Sequence, residues 1–407
     1  MGCAVYLLSS AGCATSMNRS HKQTLHERIL TLDSHVDIPF EFATDSIDPG
    51  VRGPYRVDLP KMVEGGLDCA FWIVYVRQTS VRDEAAHQEA HDQAMVKFNA
   101  IHRMAEEMYP DQVALAYRAD EVEQISASGR RVGVIAIENG SVIGRDLSLI
   151  EKYHGLGARY ITLAHGGHND ICDSATPRSW DTAAAEHGGV SPFGEQVIAE
   201  MNRVGIMVDV SHISKASMLD AVRLSKAPVI ASHSGVRALA DHARNLDDEQ
   251  LLSLQRSGGV IQIVAFGGYV KVDAPEKRTA RQDLAEQFGL VEGVKASDLD
   301  SLARTAYNDG VARIRLRWPP AQVTDFVDHI DYAVELIGID HVGISSDFDG
   351  GGGIEGWQNA GESANITAEL LRRGYSESHI EKLWSGNLLR VWRATEQVAA
   401  QSQNAPH

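Results

Sequence analysis

The chain has 407 residues, 43% of them hydrophobic and 23% charged, a balance that allows a globular protein with a substantial core. A formal charge of −17 argues against nucleic-acid backbones and anionic membrane surfaces as partners. The four cysteines, Cys3, Cys13, Cys69 and Cys172, form neither a disulfide framework nor a CxxC metal site.

The chain opens with MGCAVYLLSSAGCATS, small and apolar, and Ala11-Gly12-Cys13 resembles the end of a bacterial lipoprotein leader. This predicts residues 1–20 as a leader with Cys13 as the lipid-bearing residue, and an exported, periplasmic or envelope-anchored protein. Ser10 stands where leucine is usual and no Lys or Arg precedes the apolar run, so a cytoplasmic chain is the alternative. The run is too short to span a membrane.

From residue 21 to 407 the pattern is that of one domain. Apolar, β-branched runs predict eight strands, at 29–33, 67–76, 132–137, 159–163, 206–210, 229–231, 260–265 and 342–345. Helical patterns lie between most of them. One covers 81–108 and is stopped by Pro110, and another starts at Ser191-Pro192 and ends before Gly205. Others cover 247–256, 323–336 and 376–399. Residues 205–234 are the clearest unit: a strand ending in Ser211-His212, an amphipathic spacer at 215–224, and a strand ending in Ser232-His233. Strand, helix, strand at this length makes the two strands parallel, with both histidines at the same edge. Eight such units predict a (β/α)8 TIM barrel with helical insertions. A doubly wound open sheet is the alternative, but no GxGxxG follows an early strand to support it. The charged stretch 269–320, closing in Trp318-Pro319-Pro320, is expected to be a helical excursion over the barrel mouth.

Metal-type residues recur beside the strand ends: His35 and Asp37, Glu138, His165, His212, His233, and Asp347 with Asp349. A single histidine after a strand is ordinarily a loop residue. Repetition at successive strand ends of a barrel is what places such residues on one rim, where active sites of this fold lie. His87, His91, His102, His154, His187 and His329 fall on helical or loop segments and have no such placement, and His168 is open either way. Imidazole and carboxylate ligands without thiolate suit Zn²⁺, with Mn²⁺, Fe²⁺ or Co²⁺ as alternatives. Three histidines and two carboxylates exceed the needs of one catalytic ion and suit two ions sharing a carboxylate and a water.

The ordered motifs HVD, IENG, YITLAH, VDVSH, ASHS, ARN and GISSDFDG resemble the membrane (renal) dipeptidases of peptidase family M19, over residues 26–392. The resemblance implies a metal-dependent hydrolase barrel that cleaves dipeptides, L-Xaa-L-Xaa and L-Xaa-D-Xaa, by means of a metal-bridging hydroxide, in a homodimer. It implies that His35 and Asp37 hold one zinc, that His212 and His233 hold the other, and that Glu138 bridges them. His165 matches the residue that contacts the substrate carbonyl, Arg244 the arginine that pairs with the terminal carboxylate, and Asp347 the acid that holds the amine and handles protons. Without the resemblance, Arg244 reads equally well as a surface arginine paired with Asp247 or Asp248. Two further alternatives keep the fold: another amidohydrolase-like hydrolase, or a relative acting in secondary-metabolite maturation. A metal-binding protein without turnover is a third. Hydrolases of the first kind often bridge their metals with a carboxylated lysine at the fourth strand end, where this chain has His165.

Overall fold

The computed structural model describes residues 24–290 and 295–403, so the expected leader and Cys13 lie outside the described residues. Nine strands form a single sheet: β1 Leu32–Asp37, β2 Cys69–Tyr75, β3 Val113–Leu115, β4 Arg131–Glu138, β5 Ala158–Thr162, β6 Met207–Asp209, β7 Ile230–Ser234, β8 Val260–Val264 and β9 Val342–Ser345. Every pairing is parallel, and the order β1-β2-β4-β5-β6-β7-β8-β9 follows the chain. A bridge from Val36 to Phe348, with the Asp37 N–H donating to the Phe348 carbonyl at 2.9 Å, joins the two ends. The fold is the (β/α)8 barrel expected from the sequence. Because β3 and β2 both pair with Val132, β3 must lie on the far edge of β4, below the point where β5 takes over.

Side chains alternate across the barrel wall, as the two-residue period of a strand requires. Phe71 and Ile73, Val132 and Val134, and Tyr160 belong to one apolar cluster, whereas Trp72, Val74, Ile135 and Ile161 pack in the other, against the helices. The C-terminal helix Asn387–Gln403 closes the floor: Leu388, Leu389 and Trp392 join the first cluster, with the Trp392 ring 6.1 Å from Phe71. Asn387 ties this helix to the start of β9 by donating to the Ile339 and Val342 carbonyls.

The first strand lies later than expected. A capping box of Thr24 and Glu27 turns Leu25–Arg28 into a short helix, and β1 begins only at Leu32 and carries His35 and Asp37 within it. Similarly, β7 runs on to Ser234 and contains His233. The three-residue β3 was not anticipated, being too short to show a period. The helix expected at 81–108 starts at Glu84, capped by Asp83, and passes at Met104 into a π-helical turn. That expected at 376–399 is interrupted by a second π turn, Lys382–Gly386.

The stretch 269–320 is helical as expected, with Pro275–Gln287 and Ser301–Arg317 joined by an edge-on contact of Phe288 and Tyr307. It stands away from the core: Gly310, packed beneath Leu284, is its one buried residue within these two helices. Beyond Tyr269, none of its described residues lines the cleft at the strand ends. No helix among the described residues is long and apolar enough to cross a membrane.

Because Trp392 is fully buried against the barrel floor, far from the rim, Trp392→Ala should destabilise the fold by about 3–5 kcal/mol. Urea unfolding would read this, with the metal content of the folded variant unchanged.

Candidate metal centre

Two irregularities of the sheet aim the histidines inward. Between Asp33 and Val36, β1 advances by one residue more than its partner, which moves only from Ala70 to Trp72. Between Ala231 and Ser234, β7 likewise gains one residue on β8, which moves from Ile261 to Ile263. An extra residue reverses the alternation of side chains beyond it. Leu32 and Ile230 already face the interior, so regular strands would have turned His35, Asp37 and His233 toward the helices. The bulges turn them into the barrel instead. They also meet each other, since the Ser34 hydroxyl donates to the Ser232 carbonyl at 2.7 Å.

The side chains converge on Glu138. Its Oε1 lies 3.0 Å from His212 Nε2, 3.3 Å from His233 Nε2, 3.7 Å from His35 Nε2 and 3.8 Å from His165 Nε2. His35 Nε2 is also 3.5 Å from Asp37 and 4.0 Å from Asp347. Three overlapping triads have ligand atoms close enough to hold an ion: His35-Asp37-Glu138, Glu138-His212-His233 and His35-His233-Asp347. Four of the five non-glycine residues with positive φ among those described, Asn139, His212, Asp347 and Asp349, lie at this rim. Strain of that kind collects where a site dictates the backbone. Gly350 allows the same crowding, because a Cβ there would lie 2.2 Å from an Asp37 oxygen and 2.5 Å from one of Asp347.

The hydrogen bonds around the imidazoles decide their tautomers. Tyr160 Oη donates to the Ser34 carbonyl at 2.9 Å, so at 2.8 Å it must accept from His35 Nδ1–H. In its neutral form His35 therefore carries its lone pair on Nε2, which points at three carboxylates and, among the described residues, has no hydrogen-bond partner though fully buried. A buried nitrogen lone pair among carboxylates is satisfied by a cation. The Ser232 hydroxyl donates to Asp209 at 2.7 Å and so accepts from His233 Nδ1 at 2.8 Å, leaving His233 Nε2 with its lone pair 2.7 Å from His212 Nε2. Two imidazole nitrogens this close with an acid beside them form the edge of a metal coordination shell. The residues thus fit the divalent ions expected from the sequence, and the described cysteines, Cys69 and Cys172, are buried outside these triads.

Electrostatics point the same way. Burial pushes the Glu138 carboxyl up to about 8 and that of Asp347 up to about 7, with Asp37 adding to both. Burial opposes a charge on His35, yet Glu138, Asp37 and Asp347 carry it up to about 9. Burial and then Arg244 hold His165 down to about 3, and burial sets His212 and His233 well below the usual imidazole range. Together these shifts mark desolvated acids that resist carrying charge without a cation, beside three imidazoles held neutral at His165, His212 and His233.

A cleft of about 590 Å³ opens over these groups, large enough for a small peptide. His165 enters it, its ring tilted against those of His212 at 4.0 Å and Tyr75 at 4.8 Å, and it belongs to none of the three triads. Arg244 lines it too. Its guanidinium is buried 5.4 Å over the Tyr269 ring, Nη2 donates to the His233 carbonyl, and Nε has no partner. No carboxylate pairs with it among the described residues. Asp247 is occupied by Lys215 and Asp248 by the Tyr332 hydroxyl, which removes the surface-arginine alternative.

The remaining candidates have structural partners. Asp349 accepts the N–H groups of Arg56 and Val57. His168 accepts from the Ser174 N–H, and His87, His91, His102, His187 and His329 each bond to a neighbouring loop or helix. Three residues of the site were not singled out from sequence: Tyr160, Asp209 and Lys97. The first two stand inside the quoted motifs YITLAH and VDVSH. Lys97 shares a helix face with Ala94 and Ile101, and a lysine within an apolar stripe was the available signal.

Residues 19–406 match the family described as membrane dipeptidase, peptidase family M19. Dipeptidase tcpJ of Claviceps purpurea is 33% identical over 85% of this chain and 70% of its own. Dipeptidase ataJ of Aspergillus terreus is 32% identical over 94% and 88%. Among solved structures, the probable dipeptidase PvdM of Pseudomonas aeruginosa superposes with a TM-score of 0.80 at 34% identity, covering 92% of this chain and 97% of that one. A barrel whose rim gathers these imidazoles and acids, matched over nearly its whole length, belongs to the membrane dipeptidase family M19 and is a metallo-dipeptidase.

Proposed function

We propose that the protein hydrolyses dipeptides with a free C-terminus, L-Xaa-L-Xaa and L-Xaa-D-Xaa, with two Zn²⁺ ions held by His35 and Asp37, by His212 and His233, and by Glu138 between them. The observation that carries this is the single Glu138 oxygen within 3.8 Å of four imidazole nitrogens, two of which are fixed by Tyr160 and Ser232 as lone-pair donors. When bound, such ions supply Lewis acidity toward the scissile carbonyl and make a water acidic near neutral pH.

The chain's own groups provide the rest. Arg244, buried and without a carboxylate of its own, presents its guanidinium to the terminal carboxylate of the substrate. His165 is kept uncharged by burial and by Arg244, and it gives a hydrogen bond to the carbonyl oxygen as negative charge develops there. Asp347, held close to neutral pH by burial, takes a proton and returns it to the leaving amine, and its carboxylate receives the substrate's ammonium group. It also stands within ligand range of His35 and His233, so the substrate amine meets it at the edge of the centre. Export, attachment through Cys13 and pairing of two subunits enter this proposal from the sequence and the family likeness.

The decisive experiment incubates zinc-loaded protein with a library of L,L and L,D dipeptides. Release of amino acids that stops on chelation and returns with Zn²⁺ is expected; no release from any member would overturn the reading. Arg244→Ala should raise KM at least tenfold for dipeptides and far less for their C-terminal amides, and equal losses on both would remove the carboxylate role. Tyr160→Phe frees His35 to adopt the other tautomer, and should weaken metal binding about 10–100-fold in a chelator competition.

A further inference from the structure

One cation at the cleft has no task in this scheme. Lys97, on the helix Glu84–Arg103 that follows β2, is 3% exposed, yet its side chain lines the cleft. It has neither an ion pair nor a hydrogen bond among the described residues. Nζ lies 5.0 Å from the centre of the Phe40 ring and 5.7 Å from that of Tyr75, and the Asp37 and Glu138 carboxylates act on its charge from beyond ion-pair distance. A lysine used only for packing would extend its ammonium to water or to a carboxylate. Here the ammonium is flanked by aromatic faces and faces the space a substrate would fill. Arg178, which also lines the cleft and lies against Gly166 and Gly167, adds a second positive charge on the Tyr75 side.

The strand order sets the direction. In the ring β1-β2-β4-β5-β6-β7-β8-β9, β2 lies opposite β7. Arg244 is bound to the β7 carbonyl of His233, whereas Lys97 lies against Tyr75 at the end of β2. The two cations therefore face each other across the mouth, with Glu138 between. A dipeptide whose C-terminal carboxylate rests on Arg244 and whose peptide bond lies over Glu138 directs its N-terminal residue toward β1 and β2. Its amine meets Asp347, beside β1, and its side chain meets Lys97.

We propose that Lys97, between Phe40 and Tyr75, forms a subsite for an anionic side chain on the N-terminal residue, so that dipeptides beginning with glutamate or aspartate are preferred. This rests on the dipeptidase reading above and names its substrate class. The aromatic walls hold the aliphatic part of such a side chain, and Lys97 is the charge that its carboxylate reaches.

The test compares Glu-Ala with Gln-Ala, which differ in charge and hardly in shape, on zinc-loaded full-length protein. The kcat/KM ratio should favour Glu-Ala by about tenfold or more in the wild type, fall to about one in Lys97→Met, and stay well above one in Lys97→Arg. A wild-type ratio near one, or a ratio unmoved by Lys97→Met, overturns the subsite while dipeptide hydrolysis stands; the second result would reduce Lys97 to a charge that merely balances the acids. Calorimetric binding of phosphinate analogues of the two peptides separates the claims in the other direction. Tighter binding of the glutamyl analogue that is lost in Lys97→Met supports the subsite even if no dipeptide is turned over, and equal binding of the two overturns it.

Discussion

The buried negative charge at Glu138 is the constraint on which the rest of the molecule depends. Three carboxylates, Asp37, Glu138 and Asp347, approach one imidazole nitrogen within 4.0 Å at the largely buried floor of the cleft. Such a cluster is costly unless it is protonated or neutralised by a cation. Among the surrounding imidazoles His35 alone is drawn toward its charged form, by these same acids and against the cost of burial, whereas His212, His233 and His165 are held toward the neutral form. Left without an ion, this imbalance is met by protons held on the acids and on His35, which a divalent ion displaces on binding. The same imbalance explains why the protein accepts backbone strain at Asn139, His212 and Asp347.

Holding that cluster takes a second layer that never touches the reaction. Tyr160 fixes His35, and the chain Asp209–Ser232 fixes His233, so each ring presents a lone pair in one orientation. Asp33, buried behind them, accepts the N–H groups of His35 and Ser346 and so ties the bulge of β1 to the loop that carries Asp347. These bonds lie within the barrel wall, on strands that are packed on both faces. For His35 and His233 the site is preorganised by the strands that carry them.

The cleft inverts the charge of the molecule that surrounds it. A chain with a net charge of −17 places Lys97, Arg178 and Arg244 around a small opening above the acidic centre. In the proposed function the anionic ends of a substrate are drawn to these walls and its ammonium to the acids, which orients a zwitterionic peptide before any chemistry begins. Among the described residues Lys97 and Arg244 are the two buried cleft cations without a carboxylate in ion-pair contact, and the proposed specificity rests on them.

The barrel was legible in the sequence because each unit repeats a local pattern: an apolar run, a turn, an amphipathic helix. The rim residues were legible because barrel topology brings the strand ends together, whatever their separation along the chain. His35, Asp37, Glu138, His165, His212, His233, Arg244 and Asp347 all meet at one cleft. What local pattern could not show was which way the side chains face. The bulges in β1 and β7 each insert one residue into the pairing with a neighbouring strand, and pairing register is a relation between two distant segments. The roles of Tyr160 and Asp209 depend on contacts across the barrel, and that proposed for Lys97 on the lack of an ion pair or hydrogen bond among the described residues. The sequence by itself determined the fold and the identity of the chemical groups, since both follow from local periodicity and residue type. Their orientation, tautomer and pairing were decided only by the tertiary structure, because those are set by neighbours that the chain brings together only when it closes.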